Sequence, residues 1–365
     1  MTKRSVLALL VSASAALAGC SMSSASSELS SADEGARNAG PGGAMGEPGA
    51  PASGEASSDV GGSGTPGAEP QAGLLTAGAW DDNLNFDFYK KYVQASATTP
   101  GISIFTDADR DAAHERALVA PTAKSELDVT ILFDTTGSMG DELRFLQTEF
   151  SAIATTLKTK FPQVTPRFGL VLYRDHGDAY VTRKFDFTQD ASAFASNLDA
   201  QSAAGGGDWP EAVPEGLQEG VGLSWRTTPN VARLMFWVAD APQHTGKEAS
   251  VKVAIEGAVQ KGIHVYPVAA SGTAADAELT FRSAAQITGG RYLFLTDDSG
   301  IGNAHAEPHI PCYQVTRLDG AIVRMVDSEM RGHRVEPTAE EIIRTVGNPV
   351  EGKCKMKDQS ETVLY

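Results

Sequence analysis

An alternation of short apolar runs with amphipathic segments constrains the fold most strongly, and it begins at Asp128. The run 128–133 (DVTILF) is almost continuously apolar, as expected of a strand that is covered on both faces. The segment that follows it has apolar side chains at helical spacing. The pattern predicts strands at 128–133, 167–173, 180–187, 233–239, 263–269 and 292–295, and helices at 141–159, 190–199, 210–222, 247–260 and 276–287.

This order of elements predicts an α/β fold, a doubly wound and mostly parallel six-stranded sheet with helices on both faces. The run 180–187 is more polar than the other strands, which suits an edge position. Pro210 stands where a first-turn proline would open the helix 210–222. We also expect a short helix within 74–93, where aromatic residues return, and an apolar helix near 321–330.

The first twenty residues have the pattern of a bacterial export signal. Lys3 and Arg4 precede a stretch of apolar and small residues. It ends in Leu17-Ala18-Gly19-Cys20, which resembles the lipobox, where the signal is cut before a cysteine that then carries lipid. An ordinary signal with a chance cysteine is the alternative. We expect a lipoprotein anchored in the cell envelope through Cys20. Ser21 resembles the signal for sorting to the outer membrane, with the periplasmic or the surface face left open.

Composition and the predicted elements divide the chain into five segments. Residues 1–19 form the signal peptide, and 20–73, rich in Ser, Gly, Ala and Pro without an aromatic residue, form a disordered linker. Residues 74–124 are an extension that packs on the domain 125–297, and 298–365 are a C-terminal extension. With Cys20 used by lipid, Cys312 and Cys354 are left as a pair that an oxidising compartment would join in a disulfide. Two free buried thiols are the alternative.

Charge excludes one class of partner. The 365 residues carry 46 acidic and 30 basic side chains, a formal charge of −16. A nucleic-acid partner needs a basic footprint, and no Lys/Arg patch is present in the sequence. Beyond the leader, no apolar run is long enough to span a bilayer.

Polar side chains follow several of the predicted strands, at the edge where an open α/β sheet binds ligands. These are hard oxygen donors, which select Mg²⁺, Ca²⁺ or Mn²⁺ over zinc or copper. At another strand end, Arg174 and Asp175, we expect an ion pair that shapes the loop rather than a ligand. The donors stand after the first strand (Asp134, Thr136, Ser138), after the fourth (Asp240) and in the middle loop GGGDWPE of 205–211 (Asp208, Glu211).

The motif D-x-T-x-S after an apolar strand, a Gly-rich middle loop and a later Asp together resemble the metal-ion-dependent adhesion site of von Willebrand factor type A domains. The resemblance covers about residues 125–297. It implies a divalent metal, Mg²⁺ first with Mn²⁺ or Ca²⁺ as alternatives, held by Asp134, Thr136, Ser138 and Asp240. It also implies one open coordination position that an acidic group of a protein partner fills.

The middle loop departs from the commonest pattern of that family, which has a Thr there. Its D-W-P-E looks more like an integrin β I-like domain, where Glu211 would ligate the central metal and Asp208 would serve an adjacent cation. In the simpler version Asp208 replaces the Thr, and we prefer it slightly because Asp208 directly follows the glycines. Asp141 and Glu142 resemble the residues of a neighbouring calcium in integrin β domains. Acids in a first helical turn are also favoured by the helix dipole alone.

These observations predict a membrane-anchored, extracytoplasmic adhesion module that binds an as yet unnamed protein partner through a metal, and no catalytic residues. A structural envelope lipoprotein whose metal only stabilises the fold is one alternative. A metal-dependent hydrolase is another, which we disfavour because the sequence suggests no Ser-His-Asp arrangement or general base beside the metal residues.

Overall fold

The computed structural model describes residues 70–96, 105–119 and 121–364. The predicted signal peptide, Cys20 and nearly all of the predicted linker therefore lie outside the described residues. Contacts divide the chain into Met1–Ser58 and Asp59–Tyr365, and the second of these units contains everything below. In the described part of the chain, no helix combines the length and apolar content that a membrane span requires.

Helices and strands alternate through most of this unit. The strands are β1 (Thr76–Trp80), β2 (Glu126–Asp134), β3 (Arg167–Tyr173), β4 (Thr182–Thr188), β5 (Val231–Ala239), β6 (His264–Ala269), β7 (Tyr292–Leu295), β8 (Tyr313–Arg317), β9 (Arg344–Val346), β10 (Lys353–Lys355) and β11 (Glu361–Val363). The helices are α1 (Phe86–Ala95), α2 (Asp107–Ala117), α3 (Gly140–Lys160), α4 (Ala191–Asp199), α5 (Val213–Gly222), α6 (Glu248–Lys261), α7 (Ala275–Thr288) and α8 (Leu318–Arg331).

Nine of the strands form one sheet in the order β4-β3-β2-β5-β6-β7-β1-β8-β9. Its five inner strands β3, β2, β5, β6 and β7 are parallel, and β4 pairs antiparallel at one edge, where its polar composition had placed it. The predicted α/β class with a mostly parallel sheet is confirmed. The predicted number of six strands is too small, because β1, β8 and β9 extend the sheet by antiparallel pairing.

Helices cover both faces of the sheet, as the continuous apolar runs require. Successive residues of β2 enter opposite cores: Ile131 and Phe133 pack on one side, and Leu132 packs on the other. The first core is closed by α3, α4 and α8, and the second by α5, α6 and α7. Because both faces of the parallel strands are buried, only their ends remain open to form a site.

The short helix predicted within 74–93 is present, and the structure adds a strand before it that was not predicted. The first part of this segment is the strand β1, and Phe86–Ala95 is helical. The backbone of β1 pairs with β7 on one side and β8 on the other, a contact between residues more than two hundred positions apart. Gly78 permits it, since a Cβ at that position would lie 2.3 Å from the ring of Phe294. Small residues in a five-residue strand leave no period for sequence analysis to detect.

The helix predicted at 210–222 begins later, at Val213. Residues 210–212 are instead drawn into a loop, because the Glu211 N–H donates to the Pro242 carbonyl at 2.9 Å and Glu211 forms an isolated parallel bridge with Gln243. Pro214, not Pro210, occupies the first turn. The predicted helix near 321–330 is confirmed as α8.

The predicted disulfide is confirmed between Cys312 and Cys354. It joins the start of β8 to the hairpin of β10 and β11, and both cysteines are buried together with Leu364. The hairpin also reaches the N-terminal extension, where the Asn85 side chain both donates to and accepts from the backbone of Val363. The hairpin is thus fixed to the start of β8 by one covalent bond and to Asn85 by hydrogen bonds.

Candidate metal centre

The loop after β2 gathers two hydroxyls around a buried carboxylate. Asp134 ends the strand, and its Oδ1 accepts hydrogen bonds from the Thr136 N–H at 2.9 Å and from Thr136 Oγ1 at 2.7 Å. The Oγ atoms of Thr136 and Ser138 lie 3.3 Å apart. A short 3₁₀ turn at Gly137–Met139 then leads into α3. Spacing by two residues therefore places both hydroxyls on the same side as the carboxylate.

Asp240 brings a second carboxylate to the same place. It directly follows β5, which is the neighbour of β2 in the sheet, and the charge of Asp134 acts on its carboxylate. It is almost fully buried. Parallel neighbouring strands end at one edge of a sheet, which explains why residues separated by more than a hundred positions meet here.

The middle loop contributes Glu211. Gly206 separates it from the first loop: a Cβ on Gly206 would lie 2.7 Å from Glu211 Oε1 and 3.0 Å from Thr136 Cβ. Gly206 also has a φ of 70°, which favours glycine. The loop is attached to the first by the Gly137 N–H donating to Gly205 O at 3.1 Å. Glu211 itself is buried, with 2% exposure.

Asp208 lies elsewhere. Its side chain is exposed, and its carboxylate lies within 4.8 Å of ligand atoms of Asp175 and His244 instead. Of the two candidates in the middle loop, the structure therefore places Glu211, and not the preferred Asp208, beside Asp134 and Thr136. The Gly-Gly-Gly sequence made Asp208 attractive, but the bridge between Glu211 and Gln243 decides which acid turns inward.

The three inward carboxylates repel one another. Burial raises the pKa of Asp134 to about 6, and burial followed by the charge of Asp134 raises that of Asp240 to about 7. For Glu211, burial and then the charges of neighbouring acids, Asp134 first, raise the pKa to about 9. Each carboxylate also has one buried oxygen without a hydrogen-bond partner: Asp134 Oδ2, Glu211 Oε2 and Asp240 Oδ1.

A divalent cation fits this arrangement. Buried carboxylate oxygens without partners are costly unless something positive compensates them. Carboxylates and hydroxyls are the hard donors that Mg²⁺, Mn²⁺ and Ca²⁺ prefer. The residues that would hold it are Asp134, Thr136, Ser138, Glu211 and Asp240. Ligand atoms of these three carboxylates do not all lie within 4.8 Å of one another; among the described residues, that spacing is met by Asp175, Asp208 and His244.

Asp141 and Glu142, predicted as candidates for a neighbouring cation, already have protein partners. Glu142 Oε1 accepts from the N–H and the hydroxyl of Ser271 and lies 2.8 Å from His305 Nε2. Asp141 Oδ2 accepts from the Asn303 N–H at 2.7 Å. One buried oxygen of each acid remains without a partner. These acids hold the loops after β6 and β7 against the start of α3.

Sequence analysis did not predict that residues on those loops contact one another and the start of α3. His305 lies between Glu142 and Asp297, with its Nδ1 2.8 Å from Asp297 Oδ1, and Ser271 Oγ is 3.4 Å from its Nε2. A Ser-His-Asp arrangement thus exists, but Glu142 Oε1 is closer to Nε2 and also accepts from the serine hydroxyl. A serine held in this way is not prepared as a nucleophile. No local sequence signal links these residues.

The expected ion pair between Arg174 and Asp175 does not form. The Arg174 guanidinium packs over the ring of Tyr180 at 4.5 Å and donates to Ser202 O at 2.7 Å. Asp175 Oδ1 instead lies 2.6 Å from His244 Nε2. His244 stands four residues after Asp240 and carried no signal in the sequence.

Comparison with known proteins assigns the domain. The profile of the von Willebrand factor A domain matches residues 128–297. An alpha-protein kinase, vwkA, of Dictyostelium discoideum is 29% identical over 139 residues, which is 38% of this chain and 22% of the kinase. This chain therefore spans about a fifth of that relative.

Solved structures are more distant. The conserved hypothetical protein BatB from Bacteroides thetaiotaomicron is 14% identical with a TM-score of 0.37, covering 56% of this chain and 98% of that one. The pilus adhesin SpaC from Lactobacillus rhamnosus GG is 11% identical with a TM-score of 0.35, covering 46% of this chain and 30% of that one. The sequence match and the α/β topology lead to one conclusion: residues 128–297 of this chain are a von Willebrand factor A domain.

Proposed function

We propose that this protein binds a protein partner through a divalent metal at a metal-ion-dependent adhesion site, Mg²⁺ being the first choice. The observation that carries the proposal is the set of three buried carboxylates, Asp134, Glu211 and Asp240, each with one oxygen that has no partner. Two hydroxyls lie beside them. The two hydroxyls contribute ligand oxygens without negative charge, and an acidic group of the partner would fill the open coordination position of the cation.

The rim of this site favours protein binding over a purely structural metal. Trp209 lies on the middle loop between the acids Asp208 and Glu211, and 41% of it is exposed. Exposed tryptophans beside a polar anchor are typical of the residues that dominate protein interfaces. In a structural site we would expect the ring to be buried.

We also propose that the protein acts outside the cytoplasm, anchored to the membrane by lipid on Cys20. The lipobox-like sequence and the Cys312–Cys354 disulfide, a bond typical of oxidising compartments, support this location. Cys20→Ala should move the protein from the membrane to the soluble fraction. Continued partition into detergent after phase separation would contradict the anchor.

The test of function uses the full chain as bait in envelope extracts, with Mg²⁺ or with EDTA. We expect a partner that is retained only with Mg²⁺ and is lost with Asp240→Ala. Trp209→Ala is the matched variant: it should lose the partner but keep Mg²⁺ binding by calorimetry. A metal that binds with no metal-dependent partner would favour the structural alternative, and activity in hydrolase screens would favour the enzyme.

A further inference from the structure

Two arginines lie beside the metal centre, on the side of β4. Arg174 directly follows β3, and Arg183 lies in β4. Their guanidinium carbons are 4.5 Å and 4.2 Å from the centre of the Tyr180 ring. The Tyr180 hydroxyl is 2.7 Å from Oγ1 of Thr135, in the loop after β2 that carries two of the proposed metal ligands. One aromatic ring thus connects two cations to the loop that would hold the metal.

Neither arginine is neutralised by the protein. In the described part of the chain, Arg174 donates to Ser202 O at 2.7 Å and Arg183 donates to Gln201 Oε1 at 2.9 Å, and neither guanidinium forms an ion pair. Arg174 is 7% exposed, and its Nε is a buried donor without a partner. A buried charge without a counter-charge is costly, and the carboxylate of a ligand would offset that cost.

The acids nearest in sequence do not occupy these arginines. Asp175 Oδ1 lies 2.6 Å from His244 Nε2, and Asp178 Oδ2 accepts from the N–H groups of Asp175 and Gly206. Both carboxylates therefore have partners other than the arginines, whereas the Arg174 guanidinium contacts the segment that follows α4. The carboxyl edge of the sheet thus has a basic side, towards β4, next to the acidic metal centre.

Strand pairing fixes the distance between this basic side and the metal centre. Asp134 pairs with Tyr173 of β3, and Tyr173 pairs with Thr182 of β4, the residue before Arg183. Neighbouring strands are about 4.8 Å apart, so two spacings place the backbone of β4 about 10 Å from that of Asp134. In an extended peptide, two residues three positions apart span about the same distance. Arg183 is exposed, so a ligand can reach it.

We infer that Arg183, with Arg174 and Tyr180 beside it, forms a carboxylate subsite next to the metal, so that the partner presents two acidic groups about three residues apart. One acid completes the coordination of the metal, and the other pairs with Arg183. A guanidinium can bind a carboxylate through two parallel hydrogen bonds, which gives direction as well as charge. The inference rests on the proposed function, because the first acid needs the metal, and it adds a requirement that the metal alone does not impose.

The experiment compares three synthetic peptides in calorimetric titrations of the full chain with saturating Mg²⁺. The first peptide is acetyl-Asp-Gly-Gly-Asp-amide, and in each of the other two Asn replaces one of its acids. We expect the two-acid peptide to bind about tenfold more tightly than either single-acid peptide, the effect of one hydrogen-bonded charge pair. The same titrations in EDTA measure how far each affinity depends on the metal.

Variants of β4 assign the preference to one side chain. Arg183→Gln should abolish the preference for two acids and leave the affinities for Mg²⁺ and for the single-acid peptides unchanged. Arg183→Lys should keep part of it, because the charge remains and the two-pronged geometry is lost. Lys184→Gln is the matched control: Lys184 is the next residue, is also exposed, and its Nζ is 2.6 Å from Glu219 Oε2. It should keep the full preference.

The outcomes separate this inference from the proposed function. Equal affinity of the wild type for all three peptides, or a preference that Arg183→Gln retains, would overturn the inference, and Mg²⁺-dependent binding of the single-acid peptides would still support the metal site. A preference that is lost in Arg183→Gln but is the same in EDTA would support the arginine subsite and contradict the metal proposal. Failure of every peptide to bind at millimolar concentration with Mg²⁺ present would overturn the inference.

Discussion

His305 Nε2 lies 2.8 Å from Glu142 Oε1, in the region where the sequence predicts a neighbouring cation. Burial alone would lower the pKa of His305, but hydrogen bonds and charge from Glu142 and Asp297 raise it above its usual value. When it is protonated, the imidazole supplies a positive charge of the protein's own beside Glu142. In this domain a side chain from the loop after β7 stands where the resemblance to integrin β domains suggests calcium.

Removing that imidazole should destabilise the protein. His305→Ala leaves Glu142, which is 1% exposed, without its charged partner, and the expected loss is about 2 kcal/mol in the free energy of unfolding. Urea unfolding in EDTA measures it. The double variant His305→Ala/Glu142→Gln should lose less, because the unpaired charge is gone. Equal losses in the single and double variants would show that packing, not charge, is responsible.

The two acids of the middle loop should behave differently towards Mg²⁺. Glu211→Ala should abolish Mg²⁺ binding, because Glu211 Oε1 lies against Gly206 and Thr136 in the buried centre. Asp208→Ala should leave Mg²⁺ affinity within a few-fold of the wild type, since Asp208 lies with Asp175 and His244. Calorimetric titration of both variants decides. A larger loss of Mg²⁺ affinity in Asp208→Ala than in Glu211→Ala would show that Asp208 is the ligand of the central metal.

The metal should stabilise the fold through Asp134. At a hundredfold excess over its dissociation constant, a bound ion adds about 2.7 kcal/mol to the free energy of unfolding. Asp134→Ala should remove this Mg²⁺-dependent rise in Tm. Ser138→Ala should weaken it while the repulsion between the carboxylates stays. If the Tm of the wild type did not change with Mg²⁺, Mn²⁺ or Ca²⁺, the domain would be one that binds no metal.

Without metal, stability should fall as pH rises. The folded protein holds protons on Asp134, Asp240 and Glu211 up to pKa values of about 6, 7 and 9, whereas the unfolded chain releases them near 4. Between those limits the folded state binds more protons, so each step up in pH favours unfolding. Urea midpoints in EDTA across this range should decline, and less steeply for Asp134→Ala. Saturating Mg²⁺ should flatten the decline, and a midpoint that rises with pH in EDTA would contradict this account.

The disulfide should contribute to stability. Cys312 and Cys354 close a loop with a sequence separation of 42, for which chain entropy gives about 4 kcal/mol as an upper figure. Cys312→Ser/Cys354→Ser should lower Tm without changing Mg²⁺ affinity, because the bond lies in the C-terminal extension. Non-reduced peptide mass spectrometry verifies the bond in the wild type. Both cysteines alkylatable in the native protein would argue against it.

The sequence by itself determined the parallel core of this protein. Runs such as 128–133 indicate their own structure, since an almost continuously apolar run is typical of a strand that is covered on both faces. The same holds for Asp134, Thr136 and Ser138, whose spacing places three donors in one turn. Local periodicity and local motifs can be recognised in the sequence because they depend on neighbours within a few residues.

Tertiary structure decided what depends on distant neighbours. The strand β1 exists because β7 and β8 offer it hydrogen bonds, and its own residues carry no strand period. Glu211 turns inward and Asp208 outward because the middle loop pairs with Gln243, thirty-two positions after Glu211. His244 and His305 reach their carboxylates only after β5 and β7 take their places in the sheet. The sequence shows which side chains are present, whereas the order of the parallel strands in the sheet determines which of the side chains at their ends come into contact.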